Sequence, residues 1–415
     1  MDTLRFLPPD KAALIAQKFG TPTYVYDAQT LRKQADAALA FPNAYGITVR
    51  YAMKACSNAA ILKIFKKAGL HIDASSGYEV QRALRAGFEP EQILLSTQEL
   101  PENFAELLDK GVCIDACSLS QLERIGQARP AATIGMRLNP GLGSGGTGKT
   151  NVGGPDASFG IWHEWIPQAK ELLEKYRLTC VRLHSHIGSG GDPAVWQRVA
   201  IMNLNLAEQF PTAKTLNLGG GYKVARVEGE KATDLQEIGL PVKDAFEDFA
   251  KRTGRKLYLE IEPGTFLMSN SGVLLTKVQD IVRTSSRIFY KLDSGMTDIL
   301  RPSLYGAQHA IGIYSTRENA PLQNTVVVGH CCESGDLLTP APNNPESIAE
   351  RPLPQAQIGD LCAIGSTGAY CAAMCAKNYN SFPEAAEALI EENGNIALIR
   401  RRQTLDQMLQ NECYA

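Results

Sequence analysis

The chain lacks any stretch approaching the ~18 uninterrupted apolar residues of a membrane helix. Its start, Met1-Asp2-Thr3-Leu4-Arg5-Phe6-Leu7-Pro8-Pro9, lacks the basic-then-apolar pattern of a secretory leader. A cytoplasmic protein with no membrane partner is the expectation. Excess charge of either sign is also missing. Lys and Arg total 42 against 44 Asp and Glu, a formal net charge of -2, so nothing electrostatic favours nucleic acid or an anionic membrane. Ten cysteines are present without paired metal-type spacing, which favours reduced thiols over a disulfide framework. Cys113, Cys117, Cys371 and Cys375 read as core thiols, and no metal site is expected. Internal repeats and low-complexity tracts are not evident. What is there is an ordinary globular composition, 44% hydrophobic and 21% charged over 415 residues. That length accommodates one large α/β domain and a smaller second one, with small molecules as the expected partners.

Short β-branched runs recur at Ile47 to Met53, Leu70 to Ala74, Gln92 to Ser96, Val112 to Asp115, Thr133 to Leu138, Cys180 to His186, Thr215 to Leu218 and Lys256 to Ile261. Amphipathic stretches separate most of them: Ala59 to Ala68, Tyr78 to Ala86, Glu102 to Lys110, Ser120 to Gln127, Trp165 to Tyr176, Ala194 to Gln209 and Val242 to Arg252. Eight such units predict an α/β fold, a TIM-like (β/α)8 barrel over residues 31–281, with function at the strand ends. After Ile281 the texture changes to short runs, Ile288 to Leu292, Thr325 to Val328, Gln357 to Leu361 and Ile396 to Arg400, between turn-rich segments. This predicts a second, all-β domain formed by 282–415 together with 1–30, in which Thr23 to Tyr26 supplies a strand.

One motif points elsewhere. Gly143 through Gly148-Lys149-Thr150 matches the Walker A pattern, and Gly141-x-Gly143-x-x-Gly146 the dinucleotide fingerprint. Both need a helix directly behind the glycines so that backbone N–H groups meet phosphate. Asn151-Val152-Gly153-Gly154-Pro155 is a poor helix start, so the segment reads as a loop over the barrel mouth rather than a nucleotide site.

The strand ends are more informative. The first ends at Lys54, the sixth runs His184-Ser185-His186-Ile187-Gly188-Ser189-Gly190, the seventh ends Gly219-Gly220-Gly221 and the eighth Glu262-Pro263-Gly264. Taken singly, a lysine, a histidine or a glutamate at a strand end is more often solvated or structural. Delivered to one rim, they form a set: an amine, a flat imidazole, a carboxylate, and glycines with Ser189 that let backbone N–H and a hydroxyl approach a phosphate. Pyridoxal 5'-phosphate needs that set, with lysine bonding the aldehyde carbon and a carboxylate keeping the ring nitrogen protonated.

These segments resemble the diaminopimelate decarboxylases, pyridoxal-phosphate enzymes of the alanine-racemase-like barrel class. The resemblance covers nearly the whole chain. It is carried by Tyr51-Ala-Met-Lys54-Ala-Cys-Ser-Asn58, His184 to Gly190, Gly219 to Gly221, Glu262-Pro-Gly264, Asp293-x-Gly295-x-x-Asp298-x-x-Arg301-Pro302-x-x-Tyr305, Cys332-Glu-Ser-Gly-Asp336 and Gly368-Ala-Tyr370. The resemblance implies that Lys54 holds the cofactor covalently, His186 stacks on its ring and Glu262 pairs with its nitrogen. Ser189, Gly221, Gly264 and Tyr370 hold the phosphate. It also implies that Arg301, Tyr305, Glu333 and Tyr370 read an amino-acid substrate, with Cys332 as the acid that reprotonates carbon after CO₂ leaves. The site is shared across a homodimer, and the product is L-lysine from meso-2,6-diaminopimelate. Two positions depart from the family pattern: Thr265 follows Glu-Pro-Gly, and Phe382 follows Asn378-Tyr-Asn-Ser381, where arginine is usual. Arg301 and Lys149 are the cations expected to make up that charge. The departures keep a sister activity in view, decarboxylation of carboxynorspermidine or a D-configured basic amino acid. A racemase and a non-catalytic cofactor carrier fit the Cys332-Glu333 segment less well.

Overall fold

A computed structural model describes residues 4, 6–143, 151–186, 188–190, 192–317 and 319–413. Most of the Gly-rich segment, including Lys149, therefore lies outside the described residues. The chain divides into two compact units, 1–31 with 225–230 and 268–415, and 32–224 with 231–267.

The second unit is a closed barrel. Its strands are β1 (Ile47–Ala52), β2 (His71–Ala74), β3 (Ile93–Ser96), β4 (Cys113–Ala116), β5 (Thr133–Asn139), β6 (Thr179–His184), β7 (Thr215–Asn217) and β8 (Tyr258–Ile261). Each pairs in parallel with the next, and β8 returns to β1 through the Glu260–Thr48 register. All eight strands stand within two residues of their expected positions. Helices follow because the turns carry caps. Asn58, Ser76, Ser118, Asp192 and Asp234 each accept a backbone N–H of the following first turn. The last of these helices, Leu235–Thr253, starts a full two turns before the expected Val242, because the Asp234 cap sets its origin and it runs on through Pro241.

Inside the barrel the strands carry charge as well as aliphatic side chains. Glu260 accepts from Arg50 (3.1 and 2.9 Å) and from Arg182 (2.8 Å), and all three are buried. At the barrel mouth, no helix follows the Gly-rich segment. Residues 151–160 are turn and coil leading into the short strand Ile161–Trp162. Asn139 ties the base of this excursion, its Oδ1 accepting from the amides of Gly141 (3.1 Å) and Gly154 (2.9 Å). The helix that a phosphate-binding loop requires is missing there.

In the other unit, Thr23–Asp27 lies mid-sheet, antiparallel to Gly272–Arg283 and parallel to Ala386–Ile390. The N-terminal segment thus joins the C-terminal sheet. Leu7, Ile15, Val25, Val273, Leu275, Ala363 and Ile390 are buried in one core. Two boundaries are corrected. Residues 268–281 belong to this unit and not to the barrel, because Gly272–Arg283 pairs with Thr23–Asp27, Ile288–Leu292 and Leu361–Ile364. The strand expected at Gln357 to Leu361 begins only at Leu361, because Asp360 closes a turn by accepting from the Gln357 amide (2.8 Å). Beside its sheet the unit also carries the short helices Pro9–Phe19, Arg301–Tyr305 and Leu405–Leu409. Among the described residues, no helix is long and apolar enough to cross a membrane.

Candidate active site

β1 delivers Lys54 into a single 3₁₀ turn, Met53–Ala55, at the C-terminal rim. Its Nζ lies 3.6 Å from Oδ2 of Asp73 and donates to Ser75 Oγ at 3.4 Å. Asp73, at the end of β2, is buried. Burial and the charge of Glu262 push its carboxyl up to about 7, against the pull of Lys54. The lysine amine therefore faces a carboxyl that holds its proton more tightly than an exposed aspartate does.

Next to β1 in the ring of strands, β8 leads into Glu262, and the amide of Ala52 donates to Pro263 O (3.3 Å), joining the ends of β8 and β1. Glu262 is buried, and both its oxygens face donors. Asn217 Nδ2 donates to Oε1 at 2.6 Å, and His184 Nε2 stands 3.2 Å from Oε2. On its other side His184 meets Asp115 Oδ2 at 3.2 Å. Burial alone lowers an imidazole's pKa, but the two carboxylates prevail and lift His184 to about 9. An imidazolium beside it, with help from Lys54, holds the Glu262 carboxyl far below the usual range despite burial. Glu262 is thus an anion at any physiological pH. Asp115 Oδ1 continues the chain to Arg182 Nη1 at 3.5 Å, so a line of buried charge runs from Arg50 and Glu260 to Glu262.

β6 and β7 supply the cradle. The Gly220 amide donates to His186 Nδ1 at 3.1 Å, which places the ring proton on Nε2. Burial, Arg137 and Lys54 all depress the pKa of His186, so the ring is neutral. Side chains are excluded from the turn beside it. A Cβ on Gly219 would sit 2.5 Å from His186 Nδ1, one on Gly220 2.1 Å from Glu262 O, and one on Gly221 (φ +108°) 1.9 Å from Gly188 O. Gly190 N donates to Gly221 O at 3.2 Å, bringing the Ser189 segment against this turn. Trp196, stacked on Tyr222 at 4.7 Å, supports it from behind. A backbone-lined turn, a neutral flat ring, an amine and a permanent carboxylate fit the phosphate, ring, aldehyde and nitrogen of pyridoxal phosphate.

The barrel thus brings Lys54, His186, Ser189, Gly221, Glu262 and Gly264 to one rim. The other five expected residues lie on the β unit. Arg301 opens the helix Arg301–Tyr305, its guanidinium 5.7 Å from the Tyr305 ring centroid. Tyr370 has a positive φ of 56°. Cys332 and Glu333 are exposed, the Cys332 amide donating to Asn380 Oδ1 (2.9 Å) and the Gly335 amide to Glu333 Oε1 (3.0 Å). Phe382 stacks face to face on His330, centroids 3.5 Å apart, so this departure serves packing. Sequence reasoning missed Asp73, Asp115, His184 as a charged group, and Asn217. A signal existed: His71-Ile-Asp-Ala-Ser-Ser and Cys113-Ile-Asp-Ala-Cys-Ser place both aspartates at the same point of a strand-turn-helix unit. In each, a side chain of the next helix, Glu79 or Gln121, reaches back to the amide of residue 75 or 117.

Comparison with known proteins gives a consistent picture. The family described as "Pyridoxal-dependent decarboxylase, pyridoxal binding domain" matches residues 28–269. The chain is 37% identical over 402 residues to the diaminopimelate decarboxylase of Escherichia coli (strain K12), covering 94% of each chain. It resembles a crystal structure of a diaminopimelate decarboxylase with a TM-score of 0.91 and 36% identity, covering 97% of this chain and 96% of that one. The Helicobacter pylori diaminopimelate decarboxylase complexed with L-lysine matches with a TM-score of 0.83 and 28% identity, over 96% and 98% of the two chains.

Proposed function

Because the chain belongs to the pyridoxal-dependent decarboxylase family, we propose that it removes one carboxyl group from meso-2,6-diaminopimelate, giving L-lysine and CO₂ in the last step of lysine biosynthesis. The observation that carries this reading is a likeness to diaminopimelate decarboxylases that spans both units rather than the cofactor barrel alone. Pyridoxal phosphate, when bound, supplies an electron-poor ring that takes up the electron pair left on carbon as CO₂ departs.

The residues of the chain are assigned the remaining work. Lys54 holds the cofactor through its amine and yields that place to the substrate amine, with Asp73 beside it to take or return a proton. His186, neutral, lies against the ring without competing for positive charge. Glu262, kept anionic by His184, stabilises a proton on the ring nitrogen. Gly221, Gly264, Ser189 and Tyr370 hold the phosphate, and Arg301, Tyr305 and Glu333 read the far end of the substrate. Cys332 is assigned the proton delivered to carbon. Cys332 and Glu333 are exposed on the single chain, as residues serving a neighbouring subunit must be, so the reading includes a homodimer with shared sites, in the cytoplasm.

The test is CO₂ release by the cofactor-loaded protein on meso-diaminopimelate, beside D-lysine, L-lysine, L-ornithine and carboxynorspermidine. A strong preference for meso-diaminopimelate is expected, whereas preference for another amine would move the protein to a sister activity. In the same assay Cys332→Ala is expected to keep the absorbance of the bound cofactor yet turn over about 10²–10⁴-fold more slowly. Unchanged turnover would remove Cys332 as the acid.

A further inference from the structure

Residues 225–230 lie in a stretch rich in charge, from Lys223 to Lys231, yet belong to the β unit. Asn270 Nδ2 donates to Ala225 O at 3.4 Å, which ties the start of the segment, and the Arg226 amide donates to Glu230 Oε2 at 2.8 Å, which closes it on itself. Arg226 stands within electrostatic reach of Arg301, Tyr370 and Cys371, and His309 feels both guanidiniums. The Nε atoms of Arg226 and Arg301 are buried and lack a hydrogen-bond partner, as does Ser303 Oγ. The Glu230 carboxylate offsets part of the Arg226 charge, but it leaves the buried Nε of both arginines without an acceptor. His309 adds no charge. Its Nδ1 faces Gly365 O at 2.9 Å, and burial with the two arginines keeps it neutral. Burial and Arg301 lower even the Arg226 pKa, to about 10.

Two like charges held together with unsatisfied N–H groups are unfavourable unless an anion completes them. The chain also lacks guanidiniums at Thr265 and Phe382, where its relatives' pattern has them. We propose that Arg226 is an anion-binding residue which, with Arg301, forms a two-guanidinium receptor for an oxyanion and supplies the charge missing at positions 265 and 382. The inference rests on the decarboxylase reading. Two oxyanions satisfy the same chemistry, the cofactor's phosphate and the distal carboxylate of the substrate, and a planar fork suits both.

Arg226→Gln and Arg226→Lys in the holoenzyme separate the possibilities. If the anion is the phosphate, Arg226→Gln raises the dissociation constant for pyridoxal phosphate about tenfold or more, with KM unchanged at saturating cofactor. If it is the carboxylate, cofactor affinity is unchanged and KM for meso-diaminopimelate rises by a similar factor. Arg226→Lys recovers part of either loss, since it restores charge but not the fork. The melting temperature of Arg226→Gln with no added anion, measured beside wild type, shows that the variant is folded when the readings are taken. A folded Arg226→Gln protein whose cofactor affinity and KM both stay within about twofold of wild type overturns the proposal. If wild type proves inactive on meso-diaminopimelate, the decarboxylase reading fails while the cofactor-affinity arm still tests the receptor.

Discussion

Glu262→Gln is expected to lower kcat for decarboxylation by about 10²–10³-fold, the scale seen when one preorganised electrostatic partner is removed, while the protein stays folded and retains its cofactor. The expectation follows from what surrounds the carboxylate. Asn217 Nδ2 donates to one carboxylate oxygen at 2.6 Å, and the charged His184 ring stands 3.2 Å from the other as its ion-pair partner. An amide has one acceptor, and its NH₂ would confront a donor on one side. More important, an amide carries no charge, so it cannot sustain a proton on a ring nitrogen in a buried site. Glu262→Asp keeps the charge but draws it back by one methylene, and should recover part of the rate. Steady-state kcat with the cofactor absorbance recorded alongside decides the matter. A glutamine variant within threefold of wild type would show that Glu262 does not play this part.

Much of that arrangement could be read from the chain. Lys54, His186, Gly219 to Gly221 and Glu262 stand out because a barrel exposes its strand ends, and glycine triplets and charges there break an otherwise apolar pattern. The strands themselves are legible because each is a short apolar run, and five of the eight are followed by a helix with a side-chain cap. What stayed hidden depends on pairing between distant residues. Gly272–Arg283 follows the last barrel strand without an obvious break. Only its ladders to Thr23–Asp27 and Leu361–Ile364 assign it to the other sheet, and no local pattern encodes those registers. Arg50, Arg182, Asp115 and Glu260 each look like a solvent-facing charge on a strand, because the partner that makes burial tolerable comes from another strand. Arg226 is hidden for the same reason, flanked by Lys223, Glu228, Glu230 and Lys231 in a stretch that resembles surface.

The buried charges of the barrel give the second large effect, this time on stability. Glu260→Gln is expected to destabilise the protein by about 3–5 kcal/mol at pH 7, the usual cost of removing one partner from a buried ion pair. Glu260 answers two guanidiniums at once, Arg50 and Arg182, and neither has another carboxylate as close: Arg182 reaches Asp115 only at 3.5 Å. Burial pushes the Glu260 carboxyl up, but the two arginines prevail and hold it at about 2 rather than 4.5. That difference corresponds to about 3 kcal/mol of folding stability, consistent with the mutational cost. The sign fixes the pH window. A carboxyl whose folded pKa is depressed contributes its full stability above the unfolded value near 4.5, and loses it as pH falls toward 2. Glutamine mimics the protonated acid, so the gap between wild type and Glu260→Gln should be widest at neutral pH and close between pH 4.5 and 2. Urea unfolding at pH 7 and at steps down to pH 2.5 measures it. A gap below about 1 kcal/mol at pH 7, or one that persists unchanged at pH 2.5, would show that the charge of Glu260 is not what stabilises the barrel interior. Because Arg182 also touches Asp115, and Asp115 orients His184 against Glu262, the stability of the barrel and the charge state of its rim rest on one connected set of side chains.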